Sequence, residues 1–175
     1  IGKPVRATMS IEAGGLNSVV PIYVAARLRV PLVDCDGMGR AFPELQMVTH
    51  TIAGITSTPM AMSDERGNTV LMETITNKWT ERFARSVTVE MGAMAMIALY
   101  AATVKQLKEC AVIGTISKAE EIGKVVRSAR VNELDPVTTV RKAVGGFEVF
   151  LGKISDVQRR TEAGFAKGDA FIDGI

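Results

Sequence analysis

Apolar residues gather over positions 5–11 and give way to the polar, glycine-rich stretch EAGGLN. A short apolar run bounded by turn residues predicts a buried strand. From Ser18 the pattern changes. VVPIYVAARLR is apolar almost all round, with Arg27 and Arg29 at its end, where a helix dipole favours cations. Ser18 is the expected N-cap, and Pro21 falls in the first turn, where a missing N–H is harmless. Pro31 stops the helix, and residues 32–34 read as a second short strand. Strand, helix and strand within about 30 residues predict a βαβ unit, whose strands run parallel.

Pro43 opens an expected helix through Ala53, with Leu45, Val48 and Ile52 on one face. Residues 59–62 and 69–74 flank SDERGN as the arms of a hairpin, and 78–85 read as helix. MGAMAMIALYAAT fits a buried strand or a helix equally well. Residues 104–111 and 118–131 are amphipathic helices, and a short helix follows Asp135-Pro136. Beyond Gly145 apolar and polar residues alternate, which predicts a strand pair joined at TEAG, residues 161–164. The organisation expected is an α/β domain over 1–145 and the beginning of a β domain over 146–175.

Parallel strands end at the same edge of a sheet, and ligands of open α/β sheets bind beyond that edge. EAGGLN and DCDGMGR should therefore face each other across one crevice. Asp34 and Asp36 alternate with Cys35, so both carboxylates should share a side. They can act as acid and base with split pKa values, hold a hard divalent cation, or cap a turn and pair with Arg40. Two carboxylates disfavour a thiolate, which makes Cys35 a poor nucleophile. Gly14, Gly15, Gly37 and Gly39 suit tight turns and close approach, but form no phosphate-loop or dinucleotide fingerprint. His50 is the sole histidine, so a three-histidine zinc site is excluded; a hydrogen-bonded surface or core residue is expected. Met91, Met94 and Met96 should be core, and Arg159 and Arg160 a solvated strand face.

Composition narrows the classes. The 175 residues are 47% apolar, enough for a real core, and 21 basic residues against 19 acidic ones leave a net charge of +2. Without a basic stripe, nucleic acid is not an expected partner. Two cysteines make no disulfide framework, so a cytoplasmic home is expected. No leader pattern opens the chain, and the uncharged stretch 91–104 is too short to span a membrane. The first residue is Ile and the last fall within an expected strand, so the chain reads as a fragment. The expected partners are a small-molecule substrate and further copies of the chain.

IEAGGLN, VDCDGMGRAFPELQMVT, TPM, GN and IGTISKAEEIG together closely resemble the S-methyl thiohydantoin desulfurase family. The resemblance implies a three-layer α/β N-terminal domain and a β-barrel-like C-terminal domain. The chain would cover the later part of the first and the start of the second. Family members open on a glycine-rich TGGGGDP-type segment, and the residues here resemble the family's sequence beyond that segment. The implied reaction is hydrolytic removal of sulfur from a hydantoin- or thiohydantoin-type ring. Members also occur beside, or fused to, ATP-dependent hydantoinase/oxoprolinase subunits, so a non-catalytic binding or assembly subunit is the alternative. Hydrolysis at such a ring carbon needs an activated water, an acid for the leaving thiol and donors for the ring heteroatoms. Asp34, Asp36, Glu12 and Glu44 are the acid–base candidates. Asn17 and the N–H groups of Gly14, Gly15, Gly37 and Gly39 are candidate donors, and Arg40 a candidate anchor for a substrate carboxylate. The residues leave any cofactor undetermined, and a divalent metal stays open.

Overall fold

The computed structural model describes residues 2–162 and 165–175, so the turn expected at 161–164 falls partly outside the described residues. It contains two compact units, residues 1–120 and 121–175.

In the first unit, β1 (Thr8–Met9) and β2 (Leu32–Val33) pair in parallel, Thr8 opposite Leu32 and Met9 opposite Val33. The helix α1 (Val19–Leu28) connects them and ends at Arg29, whose left-handed φ of 53° turns its N–H onto the carbonyls of Ala25 and Ala26. Ser18 precedes this helix but does not cap it. Its hydroxyl turns back into the preceding loop, donating to the Glu12 carbonyl at 3.0 Å and accepting from Gly14 N–H at 3.0 Å.

The apolar run after Pro31 serves two sheets. β2 ends at a bend, and β3 (Cys35–Asp36) pairs instead antiparallel with β7 (Val112–Ile113). A third sheet forms from β4 (Met60–Ser63) and β5 (Thr69–Met72), with β6 (Met96–Ala98) on the other side of β4. The hairpin turn is set locally: Asp64 Oδ1 accepts from Arg66 N–H at 2.9 Å and Asn68 N–H at 2.8 Å, and Gly67 supplies a φ of 91°. The ambiguous stretch 91–103 thus yields a strand. α3 (Asn77–Glu90) starts where the Thr76 hydroxyl takes the Trp79 N–H, and α4 (Val104–Cys110) starts at a Thr103/Gln106 capping box. All strands of the described residues lie in four small sheets, none closed into a barrel.

The helix expected over 43–53 shrinks to α2 (Thr49–Ile52). The backbone of 42–45 finds its partners in distant side chains rather than in a helical ladder. Glu12 takes the Phe42 N–H, Glu81 takes the Leu45 N–H, Arg85 donates to the Pro43 carbonyl, and Tyr100 donates to the Leu45 carbonyl. Once those groups are satisfied, a helix there gains nothing. Two core clusters follow, and Leu99 packs against both. One holds Val48, Ile55 and Tyr100; the other holds Met60, Met62 and Ala84 and takes in Met91. Met94 and Met96, expected in the core, are 58% and 50% exposed.

α5 (Thr115–Val131) carries the chain into the second unit. There α6 (Pro136–Ala143) is capped by Asp135, which accepts from Val137 and Thr138 N–H, with Pro136 in the first turn. β8 (Gly152–Glu162) and β9 (Phe165–Gly174) form one long antiparallel pair with an irregularity between Ile154 and Asp156. Arg159 and Arg160 are exposed on it, and Arg160 reaches Asp169.

Candidate functional site

The two polar stretches meet through a reciprocal grip. Asp36 is fully buried, and its Oδ2 accepts from Ala13 N–H of the first loop at 2.7 Å. Glu12, on that first loop, accepts from Phe42 N–H of the second at 3.0 Å through Oε2, while Asn17 donates to its Oε1. Gly37 lies at the crossing. Its N–H donates to the Ile11 carbonyl at 3.0 Å, and its own carbonyl accepts from Thr49 N–H at 2.8 Å. A Cβ there would stand 2.8 Å from the Ile11 oxygen and 3.1 Å from Val48, so only glycine lets the backbones approach this closely. Gly39, at φ 75°, returns its N–H to both Asp36 oxygens at 2.8 and 2.9 Å. Glu12, Asn17, Asp36, Gly37 and Gly39 therefore form one node.

The other candidates lie apart from it. Asp34 does not share a task with Asp36. Its carboxylate accepts from the N–H groups of Ile116 and Ser117 at 2.9 and 3.1 Å and from the Ser117 hydroxyl at 2.6 Å, holding the start of α5. The Ser117 hydroxyl, then the Ser117 N–H, keep its pKa below the ordinary 3.8 against the opposing effect of burial, with the Ile116 N–H adding a lesser contribution. Glu44 accepts from the Gln46 amide. Arg40 is exposed and bonds only the Ala41 carbonyl at 3.2 Å; among the described residues it pairs with neither aspartate. Gly14 and Gly15 face open space, and the Gly14 N–H is already held by Ser18. Cys35 is buried, and desolvation, then the charges of Asp36 and Asp34, push its thiol up to about 11. No three His, Cys, Asp or Glu side chains gather among the described residues as metal ligands would.

Two features escape a reading of the sequence. A partly buried polar relay runs from Thr74 through Thr80, Ser57, Asn77 and Thr51 to Tyr100, which donates to the Leu45 carbonyl at 3.1 Å. Small polar residues inside apolar stretches are its only trace in the sequence. His50 is the second. Its ring is fully buried, 5.4 Å from that of Tyr100, and neither nitrogen has a partner among the described residues, contrary to the expected satisfied histidine. Burial lowers its pKa below the ordinary 6.5, opposed by the charge of Asp36 nearby.

Two family models cover the chain from end to end: the S-Me-THD-like N-terminal domain over residues 1–74 and the S-Me-THD-like C-terminal domain over 75–175. The chain belongs to the S-Me-THD-like family. It is also similar to a solved protein from Chromobacterium violaceum, 28% identical with a TM-score of 0.68 over 78% of this chain. The S-Me-THD-like chain spans only 40% of that protein's length. No curated protein matches it. Among the described residues no helix is long and apolar enough to cross a membrane. The join between the two family models, at 74/75, falls inside the first compact unit, between β5 and α3.

Proposed function

We propose that this S-Me-THD-like chain is part of a hydrolase that removes sulfur from a hydantoin- or thiohydantoin-type ring. The observation that carries the reading is the node at the carboxyl ends of β1 and β2, where Glu12 and Asp36 come together with Asn17 and the Gly37–Gly39 turn. In the reaction a water oxygen bonds the ring carbon that bears sulfur. The C–S bond then breaks, and the sulfur leaves with a proton as a thiol. Such a step needs a base for the water and fixed donors for the charge on the ring. Glu12, which keeps 8% of its surface exposed, is the base in this reading, Asn17 a donor, and Asp36 a positioning residue locked by backbone N–H groups. Arg40, exposed and free of both aspartates, anchors a substrate carboxylate. Two free cysteines, Cys35 and Cys110, suit a reducing cytoplasmic setting.

One observation favours the alternative of a non-catalytic assembly subunit for a hydantoinase/oxoprolinase system. Each oxygen of Glu12 and Asp36 already accepts a hydrogen bond from the chain itself. Thiol release from S-methyl thiohydantoin by the full-length protein separates the two. The hydrolase reading expects turnover that falls about 100-fold or more in Glu12→Gln, the usual scale for a lost general base. Turnover that survives this substitution removes Glu12 from the chemistry. A wild-type protein that releases no thiol but co-purifies with a hydantoinase subunit makes it an assembly factor.

A further inference from the structure

The loop that carries Glu12 has little packing of its own. A Cβ on Gly14 or Gly15 would meet nothing within 4 Å, and Leu16 is 65% exposed, so apolar contacts do little to fix its shape. Hydroxyl groups do so instead. Ser10, the residue after β1, is fully buried, and its Oγ donates to the Glu12 carbonyl at 2.5 Å. Ser18, the residue before α1, donates to the same carbonyl at 3.0 Å, and the two Oγ atoms lie 3.2 Å apart. The Ser18 Oγ also accepts from the Gly14 N–H at 3.0 Å. Both ends of the loop thus close on one carbonyl, that of Glu12.

Each serine departs from what its place favours. A serine before a helix usually caps it, but Ser18 makes no cap bond to α1, its hydroxyl being turned to Glu12. A hydroxyl as deeply buried as that of Ser10 adds nothing to an apolar core and is tolerated only when hydrogen-bonded. Local rules of this kind give way mostly at functional sites. What the two hydroxyls fix is the backbone of Glu12, and with it the point from which its carboxylate reaches Asn17 and the Phe42 N–H. A misplacement of about 1 Å at a reacting group can cost about 100-fold in rate. We propose that Ser10 and Ser18 are positioning residues for Glu12, clamping its carbonyl so that its carboxylate meets the attacking water. The proposal rests on the hydrolase reading and adds two residues that act through its base. The fold does not hang on either hydroxyl alone, because the Thr8 hydroxyl also joins β1 to α1, donating to the Pro21 carbonyl at 2.9 Å.

The test follows thiol release from S-methyl thiohydantoin by the full-length protein. Ser18→Thr and Ser18→Val share one shape and differ in the hydroxyl alone. Ser18→Val should lower kcat about tenfold and leave KM within about twofold, as expected when the base shifts and the bound ring does not. Ser18→Thr should restore kcat to within about threefold of the wild type. Ser10→Ala should repeat the loss in kcat at steady KM, and it carries the test if Ser18→Val does not fold. Added to Glu12→Gln, either serine change should cost nothing further, because a positioning residue has no effect once the group it positions is gone. Equal kcat in Ser18→Thr and Ser18→Val, or a further loss on top of Glu12→Gln, would overturn the proposal and leave the hydrolase reading intact. Turnover that survives Glu12→Gln would end the proposal together with the base it serves. A wild-type protein that releases no thiol would end the hydrolase reading as well.

Discussion

Gly37 and Gly14 look alike in the sequence, each set in a glycine-rich polar loop, yet their surroundings make them opposites. A Cβ on Gly37 meets the Ile11 oxygen and Val48, whereas one on Gly14 meets nothing within 4 Å. Gly37→Ala should therefore lower stability by about 1–3 kcal/mol, the usual range for forcing extra bulk into a packed site. Gly14→Ala should stay within about 0.5 kcal/mol. Urea denaturation of the two variants checks both, and equal midpoints would show that the crossing has room for a methyl group. Close backbone approach was legible as a purpose of these glycines, but which glycine serves it depends on residues that fold in from elsewhere. Cys35 was legible outright, since its aspartate neighbours in sequence are among the charges that raise its pKa. Cys35→Ala should keep most thiol-releasing activity; loss of activity in a folded variant would instead point to covalent sulfur chemistry.

Elements whose signals are local follow the sequence closely. The β4–β5 hairpin rests on Asp64 and Gly67, and α6 on Asp135-Pro136, all within a few residues of what they shape. The helix expected at 43–53 fails for the opposite reason. Leu45 and Val48 pack in different clusters, Ile52 is 88% exposed, and the backbone is held by Glu12, Glu81, Arg85 and Tyr100 from far along the chain. An apolar period carries no information about partners that distant. Asp34 shows the same limit, because its role depends on α5, more than eighty residues later. Asp34→Ala should weaken the first unit by about 1 kcal/mol, the typical value of a lost helix cap. Amide exchange should quicken first at Ile116 and Ser117. Unchanged exchange there would mean the cap contributes nothing.

For the molecule as a whole, the perturbed groups divide the acid response into two ranges. Burial holds the folded-state pKa of His50 below its ordinary 6.5, so the unfolded chain takes up more protons as pH falls under that value, and stability declines. Asp34, Asp64 and Asp135 have folded-state values below 3.8, so the stability they contribute is present above that pH and is lost as it falls further. Denaturation midpoints measured between pH 7.5 and 3 should fall in both ranges. His50→Phe should abolish the upper decline alone; a wild-type profile flat from pH 7.5 to 5 would contradict this assignment. The polar relay bears on a different matter, the inheritance of the two family modules. Thr51 and Ser57 lie before the join at 74/75 and Asn77 and Thr80 after it, yet they share hydrogen bonds in one continuous chain. Recombination at that join between diverged relatives would bring in one half of the relay without its match. The half-buried Asn77 amide would then keep the Ile55 carbonyl but lose the Thr51 hydroxyl as acceptor, so the two modules, separable as stretches of sequence, are matched to each other at this point.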